Sequence, residues 1–331
     1  MHVPDEGEGV GGEGVRKSRA GDQRSFRKGK TQSPTRSEML SHLILRSLLS
    51  VIIVVGPTPS FRPYRRPVTL WVPPYAIDKS KAQLPAVQDA ITHLDLQFWV
   101  PTKTGGVAKV GFDEVTDKVI AELRDWGHAH GIRVMLCVFN AEKDWDWPLA
   151  KAAFADHRSD LVKNLVAEME RRKLDGIDID LEGPGSFDAD KDAFISFMSD
   201  LSKALRQRKK HLTVDSFCYK WNAPNQTWWP DIFPLVDSIV TMGYEETGLG
   251  AEEWRSYAAQ KTAAGTNAAK LQIGIPSDKE TWKGNTALEQ LQWIGNDATM
   301  GIGIWDAQLP AKVWRLPEVW QAVKAIALPK K

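Results

Sequence analysis

The segment 174–183 alternates acidic and apolar side chains with a period of two. The acidic set is Asp178, Asp180 and Glu182, and the apolar set is Ile177, Ile179 and Leu181. A period of two predicts a β-strand, whose successive side chains point to opposite faces. We expect both faces to be buried, because the flanking segments alternate between strand and helix patterns. Three carboxylates in one confined space cannot all stay ionised. The pattern therefore indicates acid–base chemistry.

Two plainer interpretations of this strand are a solvated acidic edge strand and a metal-binding patch. Asp and Glu are poor strand formers, and three of them on one face repel each other. The acids lie on a single strand, and no cluster of His or Cys accompanies them. We therefore predict catalytic acids, with no metal ion and no cofactor.

Strand and helix patterns alternate along the rest of the chain. The predicted strands are 68–72, 91–99, 132–139, 174–183, 211–218, 238–244, 271–276 and 301–305, and predicted helices cover 112–130, 159–173 and 190–208. Such alternation favours a parallel sheet, and eight units are typical of a (β/α)8 barrel. An open doubly wound sheet is the alternative, but no Gly-rich phosphate loop follows the first strand. We predict an α/β protein with a single-domain (β/α)8 TIM barrel over residues 67–330.

The residues that precede the barrel differ from it in composition. Residues 1–38 are rich in Gly, Ser and basic side chains, which predicts a disordered segment or an upstream extension. Residues 39–60 contain a short apolar run after a basic residue, as in a signal peptide. A buried strand and an anchor are the alternatives for that run, which is too short to span a bilayer. If this run is a signal peptide, the protein is exported. We therefore expect a secreted, extracellular or periplasmic protein with no membrane contact in its mature form.

The charge of the chain is distributed unevenly. Residues 1–66 hold 12 Lys and Arg against 6 Asp and Glu, whereas the remainder holds 31 against 36. The basic excess is confined to the segment before the barrel, so the charge of the barrel gives no indication of nucleic-acid binding. We expect a neutral substrate and a monomeric protein. Cys137 and Cys218 fall on strands separated by a third one, at about twice the strand spacing of about 4.8 Å, so both are predicted to be free thiols.

The acidic strand carries a family resemblance. Its pattern Asp175-Gly176-x-Asp178-x-Asp180-x-Glu182 resembles the signature of glycoside hydrolase family 18, the chitinase family. The resemblance implies that this is the fourth strand of the barrel and that Glu182 is the proton donor. It further implies that Asp180 orients the substrate acetamide and that Asp178 can share a proton with Asp180. Asp175, which has the other parity, is expected to be structural.

Two further segments resemble the family, and two departures accompany them. Met242-Gly-Tyr244-Glu245 is similar to the sixth-strand motif, and the strand ending in Trp305 is similar to the eighth. The resemblance implies that Tyr244 forms a hydrogen bond with the substrate acetamide and that Trp305 forms the floor of the cleavage subsite. Glu245 replaces the usual Asp, and Cys137-Val-Phe-Asn140 replaces the usual Ser-x-Gly-Gly. About 25 residues separate the last two strands, too few for the insertion domain of some chitinases.

Aromatic side chains follow several predicted strands. Flat rings stack on sugars, with polar groups around them. The side chains that we expect to bind substrate are Trp71, Trp99, Tyr219, Trp221, Glu245 and Trp305.

The resemblance implies a retaining hydrolase that cleaves β-1,4 linkages of N-acetylglucosamine polymers, chitin or chitooligosaccharides, by substrate-assisted catalysis. One alternative is the same mechanism on the chitobiose core of N-glycans or on peptidoglycan. Another is a non-hydrolytic chitin-binding lectin. The presence of Glu182 with both supporting acids favours the enzyme.

Overall fold

The computed structural model describes residues 59–141, 144–218, 222–242, 253–282, 285–297 and 299–328, with only the backbone described at 187, 188 and 253–258. The predicted extension and nearly all of the predicted signal peptide lie outside these ranges. Four predicted site residues also lie outside them, namely Tyr219, Trp221, Tyr244 and Glu245.

Eight parallel strands close into a barrel, as predicted. The strands in chain order are β1 (Val68–Val72), β2 (His93–Pro101), β3 (Val107–Lys109), β4 (Arg133–Phe139), β5 (Gly176–Asp180), β6 (His211–Ser216), β7 (Ser238–Thr241), β8 (Leu271–Pro276), β9 (Thr281–Trp282), β10 (Asn285–Thr286) and β11 (Gly301–Trp305). Around the barrel the order is β1, β2, β4, β5, β6, β7, β8 and β11, and β1 pairs with both β2 and β11. Strand β3 adds an antiparallel edge to β2, and β9 and β10 form a separate small hairpin.

Helices surround the barrel. They are α1 (Ile77–Val87), α2 (Asp117–Ala129), α3 (Trp147–Lys151), α4 (Arg158–Arg172), α5 (Phe187–Gln207), α6 (Trp229–Ile232), α7 (Glu253–Ala264), α8 (Ala287–Asn296) and α9 (Pro317–Ala327). Local sequence sets several of their starts. Thr116 caps α2 by accepting a bond from the backbone N–H of Val119, and Thr286 with Glu289 forms a capping box on α8. None of the helices in the described ranges is long and apolar enough to cross a bilayer.

The two parities of the barrel strands have different surroundings. One parity is apolar, fully buried and part of the main hydrophobic core; it includes Leu70, Leu94, Leu136, Ile177, Val214 and Ile302. The other parity is largely polar, and its side chains make contacts between strands that do not pair. Thr69 Oγ1 donates to Gln272 Oε1 over 2.9 Å, and the rings of His93 and His211 lie 5.8 Å apart. The acids of β5 therefore face a polar lumen, while its isoleucines pack in the core.

The start of β5 is fixed by close contacts. A Cβ at Gly176 would lie 2.4 Å from the carbonyl oxygen of His211, so only glycine fits there. Asp175 has the structural surroundings that its parity predicts. One of its carboxylate oxygens accepts a 2.9 Å bond from the backbone N–H of Val134 and lies 2.8 Å from His128 Nε2. These contacts tie β5 to β4 and α2.

Two further predictions hold. The segment between β8 and β11 contains β9, β10 and α8, which leaves no room for an inserted domain. Cys137 and Cys218 are both buried and free.

Candidate active site

Asp178 lies at the centre of the lumen. Its neighbours in the β-ladder are Cys137 on β4 and Thr213 on β6. Oδ2 accepts a 3.1 Å bond from Trp71 Nε1 on β1, and Oδ1 accepts a 2.5 Å bond from Thr213 Oγ1. Burial raises the pKa of Asp178, while the bonds from Thr213 and Trp71 act to lower it. Because it accepts so many bonds, Asp178 is the carboxyl of this lumen best suited to carry a negative charge.

Asp180 lies one step further towards the carboxyl end of the barrel. Its Oδ2 accepts a 2.7 Å bond from Gln97 Nε2 on β2, and its side chain is hydrogen-bonded to Glu182. Burial raises the pKa of Asp180 to about 7; the bond with Glu182 acts to lower it, and the charge of Asp178 acts to raise it further. The hydrogen-bonded carboxyl partner of Asp180 is thus Glu182, whereas Asp178 acts on it through charge.

Glu182 follows β5 at the barrel's carboxyl end and is half-buried. Its backbone is held by one side chain. Asn140, which follows β4, accepts a 2.8 Å bond from the backbone N–H of Glu182 and donates a 2.7 Å bond to its carbonyl oxygen. This bidentate amide contact fixes where the strand ends and therefore where the carboxyl of Glu182 lies. In the sequence, Asn140 stood out only as part of a departure from the family's third-strand motif.

The lumen contains two more carboxyls, which the sequence analysis did not single out. Asp95 on β2 and Asp215 on β6 are 1% and 4% exposed. Burial raises the pKa of both well above the ordinary range, and the charge of Asp178 adds to the effect. The signal that could have found them is parity. Asp95 shares its parity with Gln97, and Asp215 shares its parity with Thr213, on strands whose alternate residues are apolar.

Some of these acids border a cleft of about 240 Å³ at the carboxyl end of the barrel. Its lining residues are Trp71, Gln97, Trp145, Asp180, Glu182, Asp215, Phe217, Val240, Met242 and Trp305. Three of them are carboxylic acids, and no Lys, Arg or His is among the described residues that line the cleft. A cleft with apolar walls and an acidic floor fits a neutral ligand with an apolar face and hydrogen-bonding groups.

The predicted aromatic residues fall into three groups: two line the cleft, three lie outside the described residues, and Trp99 is buried elsewhere. Trp71 and Trp305 line the cleft together, with ring centroids 6.4 Å apart and planes inclined by 54°. Tyr219, Trp221 and Tyr244 lie outside the described residues, as does Glu245. Trp145, on a loop after β4, also lines the cleft and is 37% exposed.

The prediction that Trp99 binds substrate is wrong, because Trp99 is not part of the cleft. It is fully buried, and its Nε1 donates a 2.9 Å bond to Glu168 on α4. The cause is a bulge in β2. Gln97 pairs with Cys137 and Trp99 pairs with the next residue, Val138, so β2 has one residue more than its partner at this point. The extra residue turns Trp99 away from the side on which Asp95 and Gln97 lie, and a ring with no exposed surface cannot stack on a sugar.

One group of side chains has the spacing of a metal site. Cys137 Sγ and one carboxylate oxygen each of Asp180 and Asp215 lie within 4.8 Å of one another. Burial, with the nearby acids, raises the pKa of the Cys137 thiol well above its ordinary value. A cysteine binds metal as the thiolate, so metal binding here would have to release the thiol proton. The thiol instead hydrogen-bonds Asp178.

Comparison with known proteins places this geometry in a family. Residues 71–326 match the family described as "Glycosyl hydrolases family 18". Among curated proteins none matches the chain.

Several solved structures share the fold. A chitinase from Chromobacterium violaceum has a TM-score of 0.64 at 17% identity, over 78% of this chain and 98% of that chain. The chitinase ChiB of Flavobacterium johnsoniae has a TM-score of 0.61 at 18% identity, over 79% and 94%. The spore cortex-lytic enzyme SleL of Bacillus megaterium has a TM-score of 0.62 at 13% identity, over 82% and 76%.

The family match covers most of the chain, and its signature acids lie on β5 and just beyond it, at the carboxyl end of the barrel. The chain belongs to glycosyl hydrolase family 18. It is therefore a glycoside hydrolase of the chitinase family.

Proposed function

We propose that the protein is a retaining hydrolase of β-1,4-linked N-acetylglucosamine chains, with Glu182 as the proton donor. The observation that carries the proposal is the hydrogen bond between Glu182 and Asp180 at the floor of a cleft that Trp71 and Trp305 also line. A proton donor requires a carboxyl at the cleft surface, and Glu182 is half-buried there. Indole rings offer flat faces for stacking on sugar rings.

Glu182 and Asp180 have different roles in the proposed reaction. Glu182 protonates the glycosidic oxygen while the carbonyl oxygen of the substrate's 2-acetamido group attacks the anomeric carbon, giving an oxazolinium. Asp180 accepts a hydrogen bond from the acetamide N–H and stabilises the positive charge that develops. Water then attacks the anomeric carbon of the oxazolinium, and Glu182 accepts a proton from that water. Two displacements at the same carbon leave its configuration unchanged.

The substrate is the finer part of the proposal. A neutral N-acetylated sugar suits a cleft that has acids and aromatic rings but no cationic side chain among its described lining residues. Another structure with this fold, the second catalytic domain of the group II chitinase of Ostrinia furnacalis (TM-score 0.61, 14% identity), is described in complex with penta-N-acetylchitooctaose. The spore cortex-lytic neighbour makes bacterial spore cortex and peptidoglycan the second class of substrate to test.

Product analysis tests the substrate and the mechanism together. The protein is incubated with N-acetylchitohexaose, its fully de-N-acetylated counterpart, a high-mannose glycopeptide, peptidoglycan and spore cortex. We expect shorter N-acetylated oligomers that appear first as the β-anomer by NMR, and no cleavage of the de-N-acetylated chain. Initial α-anomers, or cleavage without the acetyl group, would refute the substrate-assisted mechanism. Binding without cleavage of any of these would favour the lectin.

Substitution of the acid tests the role of Glu182. Glu182→Gln should lower kcat by roughly 10²- to 10⁴-fold, because a general acid contributes about that factor. Oligosaccharide binding, followed by tryptophan fluorescence, should be retained. The matched control is Glu170→Gln on α4, whose carboxylate pairs with Arg208 at the protein surface. Hydrolysis by Glu182→Gln at the rate of this control would remove Glu182 from the reaction.

A further inference from the structure

Three carboxyls meet in the lumen, and two of them have an oxygen without an ordinary donor. Asp95, Asp178 and Asp215 come from β2, β5 and β6. Oδ1 of Asp95 and Oδ1 of Asp215 are buried and accept no hydrogen bond from an N–H or hydroxyl group in the described part of the chain. Both side chains are hydrogen-bonded to Asp178. A bond between two carboxyls requires a proton on one of them.

The surroundings decide which carboxyl keeps that proton. Asp178 accepts bonds from the indole of Trp71 and the hydroxyl of Thr213, which stabilise its ionised form. Oδ1 of Asp215 has no donor of this kind in the described part of the chain, and the side chain faces negative neighbours. The titratable groups around it are Asp178 and Asp180 on β5, Asp95 on β2, Cys137 on β4 and Glu182 beyond β5. The largest charge effects on it all come from acidic side chains.

Asp215 also reaches the reaction site. It lines the same cleft as Asp180 and Glu182, and one of its oxygens lies within 4.8 Å of an oxygen of Asp180. The side chain of Asp215 thus contacts Asp178 and also borders the cleft in which the proposed substrate would bind. Asp95 touches the same anion but does not line the cleft.

We propose that Asp215 is a positioning residue of the reaction, a neutral carboxyl that keeps its proton, donates a hydrogen bond to Asp178 and thereby keeps Asp178 ionised. This inference rests on the proposed function. In the sequence analysis Asp178 shares a proton with Asp180. Here Asp178 already accepts hydrogen bonds from Asp215 and Asp95, so it does not need one from Asp180. Asp180 is then the acid on β5 that changes its protonation during turnover, and Asp178 provides a constant charge behind it.

Two substitutions of Asp215 distinguish a neutral donor from an anion. Asp215→Asn keeps the shape and an N–H donor towards Asp178, so kcat on N-acetylchitohexaose should stay within about 3-fold of the wild-type value. Asp215→Ala removes the donor and should lower kcat by roughly 10- to 100-fold, as expected for a hydrogen bond to a charged group. Thr213→Val, which removes another donor to Asp178, is the matched comparison and should resemble Asp215→Ala.

Infrared spectroscopy of the substrate-free enzyme tests the protonation independently of activity. A protonated carboxyl has a carbonyl-stretching band that a carboxylate lacks. At pH 7 the wild-type protein should show such absorbance, part of which disappears in Asp215→Asn and another part in Asp95→Asn, while Thr213→Val retains both parts. Because this readout needs no turnover, it still decides whether Asp215 is the neutral partner of Asp178 if the wild-type protein cleaves no oligosaccharide, a result that would refute the proposed function instead.

Three results would overturn the inference. Equal loss of kcat in Asp215→Asn and Asp215→Ala would show that the carboxylate charge is needed, and unchanged kcat in both would show that Asp215 has no part in the reaction. An infrared band unchanged in Asp215→Asn would show that Asp215 is ionised. Thermal unfolding of each variant establishes that it is folded, and Asp215→Asn, which is nearly isosteric, keeps the test decisive if Asp215→Ala does not fold.

Discussion

Replacing Asp180 by asparagine should make the protein more stable at neutral pH, with a gain that disappears in acid. Asp180 is 3% exposed, and burial raises its pKa from 3.8 to about 7. An asparagine has nearly the same shape. Its carbonyl oxygen can accept the bond from Gln97, and its amide can donate to Glu182, so the substitution removes the titration with little change in packing.

The sign and size of the effect follow from proton linkage. Between pH 3.8 and about 7 the unfolded chain has released the proton of Asp180 while the folded protein still holds it. The folded state therefore binds more protons, and its stability falls as pH rises through this window. Each pH unit corresponds to about 1.4 kcal/mol. The wild-type protein loses about 4 kcal/mol through Asp180 by pH 7, and Asp180→Asn avoids that loss.

Urea unfolding of both proteins at intervals from pH 4 to pH 8 measures the difference. We expect the two free energies of unfolding to agree near pH 4 and to diverge steadily up to pH 7, in favour of Asp180→Asn. The control is Asp192→Asn, an exposed position on α5, which should give no pH-dependent difference. A difference between wild type and Asp180→Asn that is the same at all pH values would refute the reasoning, because it would mean that Asp180 titrates alike in the folded and unfolded states.

Two tryptophan substitutions test which indole belongs to the site. Trp71→Phe removes the bond to Asp178 and part of the cleft wall; we expect kcat/KM to fall by roughly 10- to 100-fold, and a value equal to wild type would contradict the role of that bond. Trp99→Phe removes the bond to Glu168 outside the cleft; activity at 25 °C should stay within about 2-fold, while chemical denaturation should show a loss of about 1–3 kcal/mol in stability. Impaired turnover in a fully folded Trp99→Phe protein would contradict the placement of Trp99.

The alternation along β5 made much of this protein predictable, because strand geometry is a local property. Successive side chains point to opposite sides in any strand, so the sequence alone places Asp178 and Asp180 on one side and Ile177 and Ile179 on the other. The number and spacing of the strand patterns then indicated the barrel. The observed β1, β8 and β11 have the predicted bounds, and the other barrel strands differ at their ends.

Trp99 shows where this local argument fails. By parity alone it belongs with Asp95 and Gln97, and only the bulge next to Gln97 turns it towards α4. Whether a strand has a bulge depends on its pairing with a neighbour, in this case β4, which the pattern of β2 by itself does not contain.

The sequence by itself determined the fold class, the acidic strand and the direction in which its acids point. Only the tertiary structure decided which groups those acids meet. Asp95 and Asp215 are 120 positions apart in the chain, and Asn140 is 42 positions from Glu182. These groups meet because closure of the barrel and the register of its strands bring distant residues into one lumen. That closure sets the hydrogen bonds, burial and mutual charge that determine which acid keeps its proton.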